Sequence, residues 1–170
     1  MRSFVDIDRA TQSDLDGILE LQAAEQPERG GMLSASLPRS RIAEMMRAMP
    51  VIVARNGGRI AGYLMTSTQE MNADVPVIRA MLAAYPGAPD SYVYGPICVS
   101  ADERGKGLAQ AMFAEVQRCL PHREGILFIR RDNPASLRAH EKMGIREVAH
   151  FEFNGRDHAV LSYVGRDSEA

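Results

Sequence analysis

Apolar residues recur at two periods along this chain, and the switches between the periods set out an order of strands and helices. Phe4 to Asp8 alternates, as a half-buried strand does. Leu15, Ile18, Leu19 and Leu21 follow helical spacing, with Ser13 and Asp16 read as a capping box and Gln26-Pro27 as the stop. Glu28 to Ala35 reads as loop, and Pro38 to Met49 as a second helical stretch. Val51 to Arg55 and Arg59 to Ser67 flank Asn56-Gly57-Gly58, a strong hairpin signal. Two strand–helix units come next. Tyr92 to Val99 leads into a helix through Leu108, Met112, Val116 and Leu120, and Gly125 to Arg130 leads into one from Pro134 to Met143. A terminal hairpin closes the pattern, with Arg146 to Phe153 and His158 to Val164 joined by Asn154-Gly155-Arg156-Asp157.

One stretch breaks the rhythm. Between the strands ending at Ser67 and beginning at Tyr92, residues 68–91 form a long insertion that carries Ile78, Met81, Leu82 and Tyr85 at helical spacing. It can serve as a lid or wall of a pocket, as an oligomer contact, or as a helix packed on the sheet. No repeat or linker divides the sequence, so residues 1–170 are read as one domain with this insertion.

Composition changes the picture mainly by exclusion. The chain is 45% hydrophobic and 25% charged with a net charge of −2, so no polycationic surface argues for nucleic acid. No apolar run approaches the ~20 residues that a membrane span needs, and Met1 to Asp6 lacks the apolar core of a signal peptide. Cys98 and Cys119 are the only cysteines and lie in no metal-ligand spacing, which favours a reducing cytoplasm and no metal.

The chemistry concentrates in two motifs. Arg104-Gly105-Lys106-Gly107-Leu108-Ala109 turns a strand into a helix. Such a turn leaves helical N–H groups pointing at one spot, where the helix dipole adds positive potential that suits phosphate. Arg104 and Lys106 add charge there. The loop does not fit a Walker A motif, because Ser100 stands in place of the first Gly and Gly107 in place of Ser or Thr. A dinucleotide fingerprint fails at Gln110, which occupies the third Gly position. The second motif is Asn133-Pro134-Ala135-Ser136-Leu137-Arg138-Ala139-His140-Glu141-Lys142-Met143-Gly144, with Asn133 as N-cap, Pro134 at the first helical position and Gly144 as stop. Asn133 and His140, two turns apart, lie near one face.

Arg104, Gly107 and Ala109 satisfy the pattern [RQ]-x-x-G-x-[GA], and the second motif resembles N-x-x-[AS]-[IL]-x-x-[YH]-E-K-x-G. Both patterns, in this order and about one helix and one strand apart, are similar to those of the GNAT superfamily of N-acetyltransferases. The resemblance implies an α/β fold with a central, mostly antiparallel mixed sheet, splayed at strands 4 and 5 and flanked by helices. It implies acetyl-CoA as co-substrate, with the pyrophosphate on Arg104, Gly105, Lys106, Gly107, Leu108 and Ala109. Ile97, Cys98 and Val99 would run along pantetheine, the Val99 N–H polarising the thioester, and Asn133, Ser136 and His140 would complete the cofactor contacts. His140 stands where many members carry a Tyr general acid, a variant that resembles phosphinothricin-acetyltransferase-like members. The resemblance also implies a homodimer.

The expected activity is acetyl transfer to a small-molecule amine by direct attack in a ternary complex. The alternative is a non-catalytic acyl-CoA-binding or regulatory module, motivated by the missing Tyr and by the lack of Glu among Tyr92, Val93 and Tyr94. A nucleotide-binding domain of another kind is the weaker third choice. For the base, Glu70, Asp90 and Glu152 are candidates beside a water relay, each of them also readable as a solvated surface carboxylate. Cys98 lacks the spacing of an activated thiol pair and reads as core.

Overall fold

The computed structural model describes residues 5–25 and 36–165; Phe4, the expected helix stop at Gln26-Pro27 and the Glu28 to Ala35 loop lie outside them. The chain divides into two compact units, Met1–Thr66 with Gly95–Cys119 and Ser67–Tyr94 with Leu120–Ala170.

In the first unit, β1 (Val5–Arg9) pairs antiparallel with β2 (Val51–Asn56), and β2 with β3 (Arg59–Thr68). Gly57 and Gly58 make the tight turn at φ +59° and +82°, a conformation that the twist of a two-residue hairpin requires. Val51 to Ala54 are all buried, so both faces of β2 are covered and the strand reads as a continuous apolar run. Helices α1 (Leu15–Ala24) and α2 (Arg39–Ala48) belong to this unit. The cap before α1 differs from the expected Ser13/Asp16 box. A 3-10 turn, Gln12–Asp14, precedes the helix, and the Asp14 carboxylate accepts from the Thr11 N–H at 2.8 Å. Arg55 on β2 fixes that choice by donating to both Asp14 oxygens at 2.8 and 2.7 Å, and this pairing holds the Asp14 carboxyl below its ordinary range.

In the second unit, β5 (Glu124–Arg130) runs parallel to the start of β4 (Tyr92–Val99) and antiparallel to β7 (Arg156–Val164), which pairs with β6 (Arg146–Phe153). The turn between β6 and β7 needs only Asn154 and Gly155, at φ +52° and +73°, so β7 starts two residues earlier than the sequence pattern suggests. Strand β4 is common to both units. The sheet order is therefore β1-β2-β3-β4-β5-β7-β6, a seven-stranded mixed sheet. The helix of the insertion, α3 (Pro76–Ala84), buries Met81 against Val93, Ile126 and Val160, with Ile78, Leu82 and Tyr85 half-buried on the same cluster. Its apolar face covers sheet.

A buried carboxylate fastens this insertion. Glu124 on β5 accepts from the Tyr85 hydroxyl at 2.6 Å, from the Ala88 N–H at 2.7 Å and from the Ser162 hydroxyl. Burial pushes its carboxyl up, but these three donors outweigh burial and leave it below the ordinary range. Removing the acceptor strands three donors, each costing ~1 kcal/mol or more when unsatisfied. Glu124→Ala is expected to destabilise the protein by about 3 kcal/mol in chemical denaturation. Because the folded carboxyl is depressed, its contribution is present at neutral pH and is lost as pH falls through the folded value; the variant should show a flatter acid limb than the wild type.

Candidate functional site

The first unit carries the glycine loop. After β4 a 3-10 turn, Ala101–Glu103, leads to Arg104, which is extended at φ −68° and ψ 151°. Gly105 and Gly107 both sit at φ +79°, so the loop turns through a backbone conformation that other residues adopt only with strain. Helix α4 (Leu108–Cys119) starts immediately, and the Gly107 carbonyl accepts its first helical bond, from the Ala111 N–H at 3.0 Å. The N–H groups of Leu108, Ala109 and Gln110 consequently precede any intrahelical acceptor. Each cation of the loop is paired with a buried carboxylate. Lys106 donates to Glu103 at 3.1 Å, and Arg104 donates to Glu25 at the end of α1. Glu103 is also held by Asn56 at 3.0 Å and Arg59 at 3.4 Å.

The strand before the loop pairs with β5 only at its start. Gly95 lies at φ +111°, the Gly95–Pro96 peptide is cis, and the β4–β5 register covers only Tyr92↔Gly125 and Val93↔Ile126. Pro96 has no N–H to give a ladder. Ile97 and Val99 are half-buried and flank buried Cys98.

The second unit carries the other motif on α5 (Pro134–Lys142). The Asn133 side chain caps it by accepting from the Ser136 N–H at 3.3 Å, and Gly144 ends it at φ +86°. One turn on, the Ser136 carbonyl accepts from His140 Nδ1 at 2.8 Å. Asn133, Ser136 and His140 thus form one linked series along the helix. The other expected site residues, Ile97 to Val99 and Arg104 to Ala109, belong to the first unit.

A family model for the acetyltransferase (GNAT) family matches residues 15–145, and so includes both motifs. The chain belongs to the GNAT family. No curated protein matches the sequence. Among solved structures, the chain is similar to the acetyl-CoA complex of a GNAT-superfamily phosphinothricin acetyltransferase from Sinorhizobium meliloti, at 20% identity and a TM-score of 0.69, over 98% of this chain and 91% of that one. A GNAT-family acetyltransferase from Bacillus cereus gives 14% identity and a TM-score of 0.68, over 95% and 97% of the two chains. The ribosomal-protein-S18-alanine N-acetyltransferase from Escherichia coli gives 13% and 0.66, over 96% and 95%. At these identities the likeness shows the fold: a GNAT mixed sheet with flanking helices. No helix among the described residues is long and apolar enough to cross a membrane.

In this GNAT protein His140 is 4% exposed, and burial lowers the pKa of its imidazole, partly opposed by the bond to Ser136. The ring is therefore neutral at physiological pH, and its tautomer follows from its partners. The Ser136 carbonyl can only accept, so Nδ1 carries the proton. Nε2 is then the acceptor, and the Tyr94 hydroxyl donates to it at 3.0 Å. Tyr94 is the last residue of the second unit before Gly95, and its ring meets His140 and Tyr163 edge-on at 5.6 and 5.9 Å. Sequence reasoning treated Tyr94 only as a strand position without a carboxylate; nothing local signals its bond to a residue 46 positions away. Burial, with the Glu25 charge adding to it, pushes the Cys98 thiol up to about 12, so Cys98 is a thiol and a poor nucleophile at neutral pH. Glu70, Asp90 and Glu152 are all exposed. Sequence reasoning did not single out Glu25 or Tyr63, which carry no motif.

The His140 arrangement predicts a particular pH response. Its folded pKa lies below the unfolded value of ~6.5, so the unfolded chain binds more protons and stability falls as pH drops below that value. His140→Gln should flatten the stability slope below about pH 6.5. Nitrogen-15 spectra should show the Nδ1–H tautomer in the wild type, whereas an Nε2–H tautomer would overturn the hydrogen-bond assignment.

Proposed function

We propose that this GNAT protein transfers the acetyl group of acetyl-CoA to the amine of a small-molecule acceptor, by direct attack in a ternary complex. The observation that carries the reading is the left-handed glycine pair at the N-terminus of α4, with Arg104 and Lys106 beside it. Unpaired helical N–H groups, a helix dipole and two cations form a cradle for a pyrophosphate. The residues proposed for it are Arg104, Gly105, Lys106, Gly107, Leu108 and Ala109. The S. meliloti protein, whose structure holds acetyl-CoA, and the E. coli protein, named for acetylating an alanine, support the choice of donor and of nitrogen as acceptor.

Ile97, Cys98 and Val99 are proposed as the pantetheine strand, with the Val99 N–H donating to the oxyanion that forms on the acetyl carbonyl. The β4–β5 register, which ends at Val93, supports this role, since it leaves these residues outside that pairing. Asn133, Ser136 and His140 are proposed as cofactor contacts on the strength of the second motif. His140, neutral with both ring nitrogens engaged by Ser136 and Tyr94, does not stand ready as a proton donor. The protonated state of Cys98 disfavours an acetyl-cysteine intermediate and so supports direct attack.

The competing reading, a module that binds acyl-CoA without turnover, draws support from that same neutral imidazole. Thiol release separates the two. An amine-dependent rate that rises with pH, as the free-amine fraction grows, is expected of the enzyme; acetyl-CoA binding without CoA release from any amine of a broad panel would favour the module. Lys106→Gln should raise the acetyl-CoA Kd by roughly tenfold, about 1.4 kcal/mol, and an unchanged Kd in calorimetry would remove the loop from the site.

A further inference from the structure

The two carboxylates that neutralise the glycine loop are not equivalent. Glu103 keeps Asn56 and Arg59 if Lys106 turns to another anion. Glu25 has Arg104 as its one partner among the described residues, and its side chain is 11% exposed. A phosphate that draws Arg104 away would leave a nearly buried carboxylate without a described counter-ion, a costly state for an ionised group. The same unit holds a second unmet demand. The Tyr63 hydroxyl on β3 is fully buried and has no hydrogen-bond partner of good geometry among the described residues, with the Cys98 thiol beside it and the Glu25 charge acting on it. Orphaned buried hydroxyls are rare and call for an explanation. Among the described residues Arg104 is the one cation paired with Glu25, and the Glu25 charge also acts on the Tyr63 hydroxyl of β3 and the Cys98 thiol of β4.

We propose that Glu25, with the Tyr63 hydroxyl, is the subsite for the acceptor's ammonium group, masked by Arg104 until the donor's pyrophosphate takes Arg104 away. The inference rests on the donor assignment above. It narrows the acceptor to primary amines that are cations at neutral pH, with a pKa of ~10 like a lysine side chain. A carboxylate and a phenolic oxygen supply two acceptors for the three donors of an ammonium. It also sets an order of binding. While Arg104 holds Glu25, an ammonium meets a neutralised carboxylate; once pyrophosphate holds Arg104, the buried charge needs a new cation. The donor therefore binds first, and its binding raises affinity for the acceptor.

The test begins with calorimetry of acetyl-CoA in the absence of any amine, on the wild type, Glu25→Gln, Arg104→Gln and the double variant. Glu25→Gln should lower the Kd at least threefold by removing the internal competitor. The same substitution should do nothing to the Kd in the Arg104→Gln background. An unchanged or weakened affinity in Glu25→Gln overturns the masking. Thiol release across a panel of primary amines then reads the acceptor side. For any amine turned over, Glu25→Gln should raise the acceptor KM at least tenfold. Tyr63→Phe should raise it severalfold without altering the acetyl-CoA Kd, and melting curves confirm that each variant is folded. Unchanged acceptor KM in Glu25→Gln overturns the ammonium subsite even if the donor result holds. Failure of the wild type to bind acetyl-CoA, or to turn over any amine, is a different result: it removes the donor or acceptor assignment itself, and the inference falls with it.

Discussion

Strand β4 cannot be an ordinary strand from end to end, and the candidate chemistry follows from that constraint. Its first residues, Tyr92 and Val93, are ladder partners of β5. At Gly95 the backbone passes through φ +111°, and Pro96 offers no N–H, so a regular ladder is not available there. The chain resumes at Ile97 and is fixed again where the Ser100 N–H donates to the Ala61 carbonyl at 2.8 Å. The constraint at Gly95 is conformational, since a Cβ there would meet nothing within 4 Å. At Gly62 the constraint is one of space: a Cβ would lie 3.1 Å from the Cys98 carbonyl oxygen, so β3 presents a bare backbone to the second half of β4.

Buried carboxylates divide the structure's fixed parts from its changeable ones. Asp14 is gripped by Arg55 through both oxygens and by the Thr11 N–H, Glu124 by three neutral donors, and Glu103 by Lys106, Asn56 and Arg59. In each case the loss of a single partner leaves others in place, as suits an acid that holds elements together. Glu25 has a single described partner, itself 55% exposed and part of the glycine loop. An isolated buried charge is among the most costly states a protein interior can hold. An acid with one described, half-exposed partner is therefore sensitive to whatever that partner does, and Arg104 stands where an anion is expected.

What was legible in the sequence was local. The Gly57-Gly58 and Asn154-Gly155 turns, the Asn133 cap and the Gly105/Gly107 loop each depend on residues within a few positions of one another, so their signals survive in the linear pattern. The amphipathic helix of the insertion was legible from its spacing, but its partners Val93, Ile126 and Val160 were not, because they come from three different strands. The cap before α1 shows the limit within a local signal. Ser13/Asp16 and Thr11/Asp14 both have the capping spacing, and the choice is made by Arg55, 41 residues beyond Asp14. Glu25–Arg104 spans 79 positions and Tyr94–His140 spans 46, and a Glu or a Tyr alone carries no hint of either.

In the proposed acetyl transfer to an amine, the two protons are unequal problems. A departing thiolate is a tolerable leaving group, with a thiol pKa of ~8.5, so a strong acid beside it gains little. An imidazole that burial keeps neutral, with Nδ1–H given to Ser136 and Nε2 accepting from Tyr94, is consistent with that modest need. The acceptor is the harder case, because an amine of pKa ~10 arrives as an ammonium that must be bound as a cation before it can lose its proton and attack. A buried carboxylate is well suited to recognise that cation, yet left bare it would destabilise the resting protein. Under the proposed masking, pairing it with the arginine that a donor would claim resolves the conflict: the charge is covered while the loop is empty and exposed only when a donor is bound.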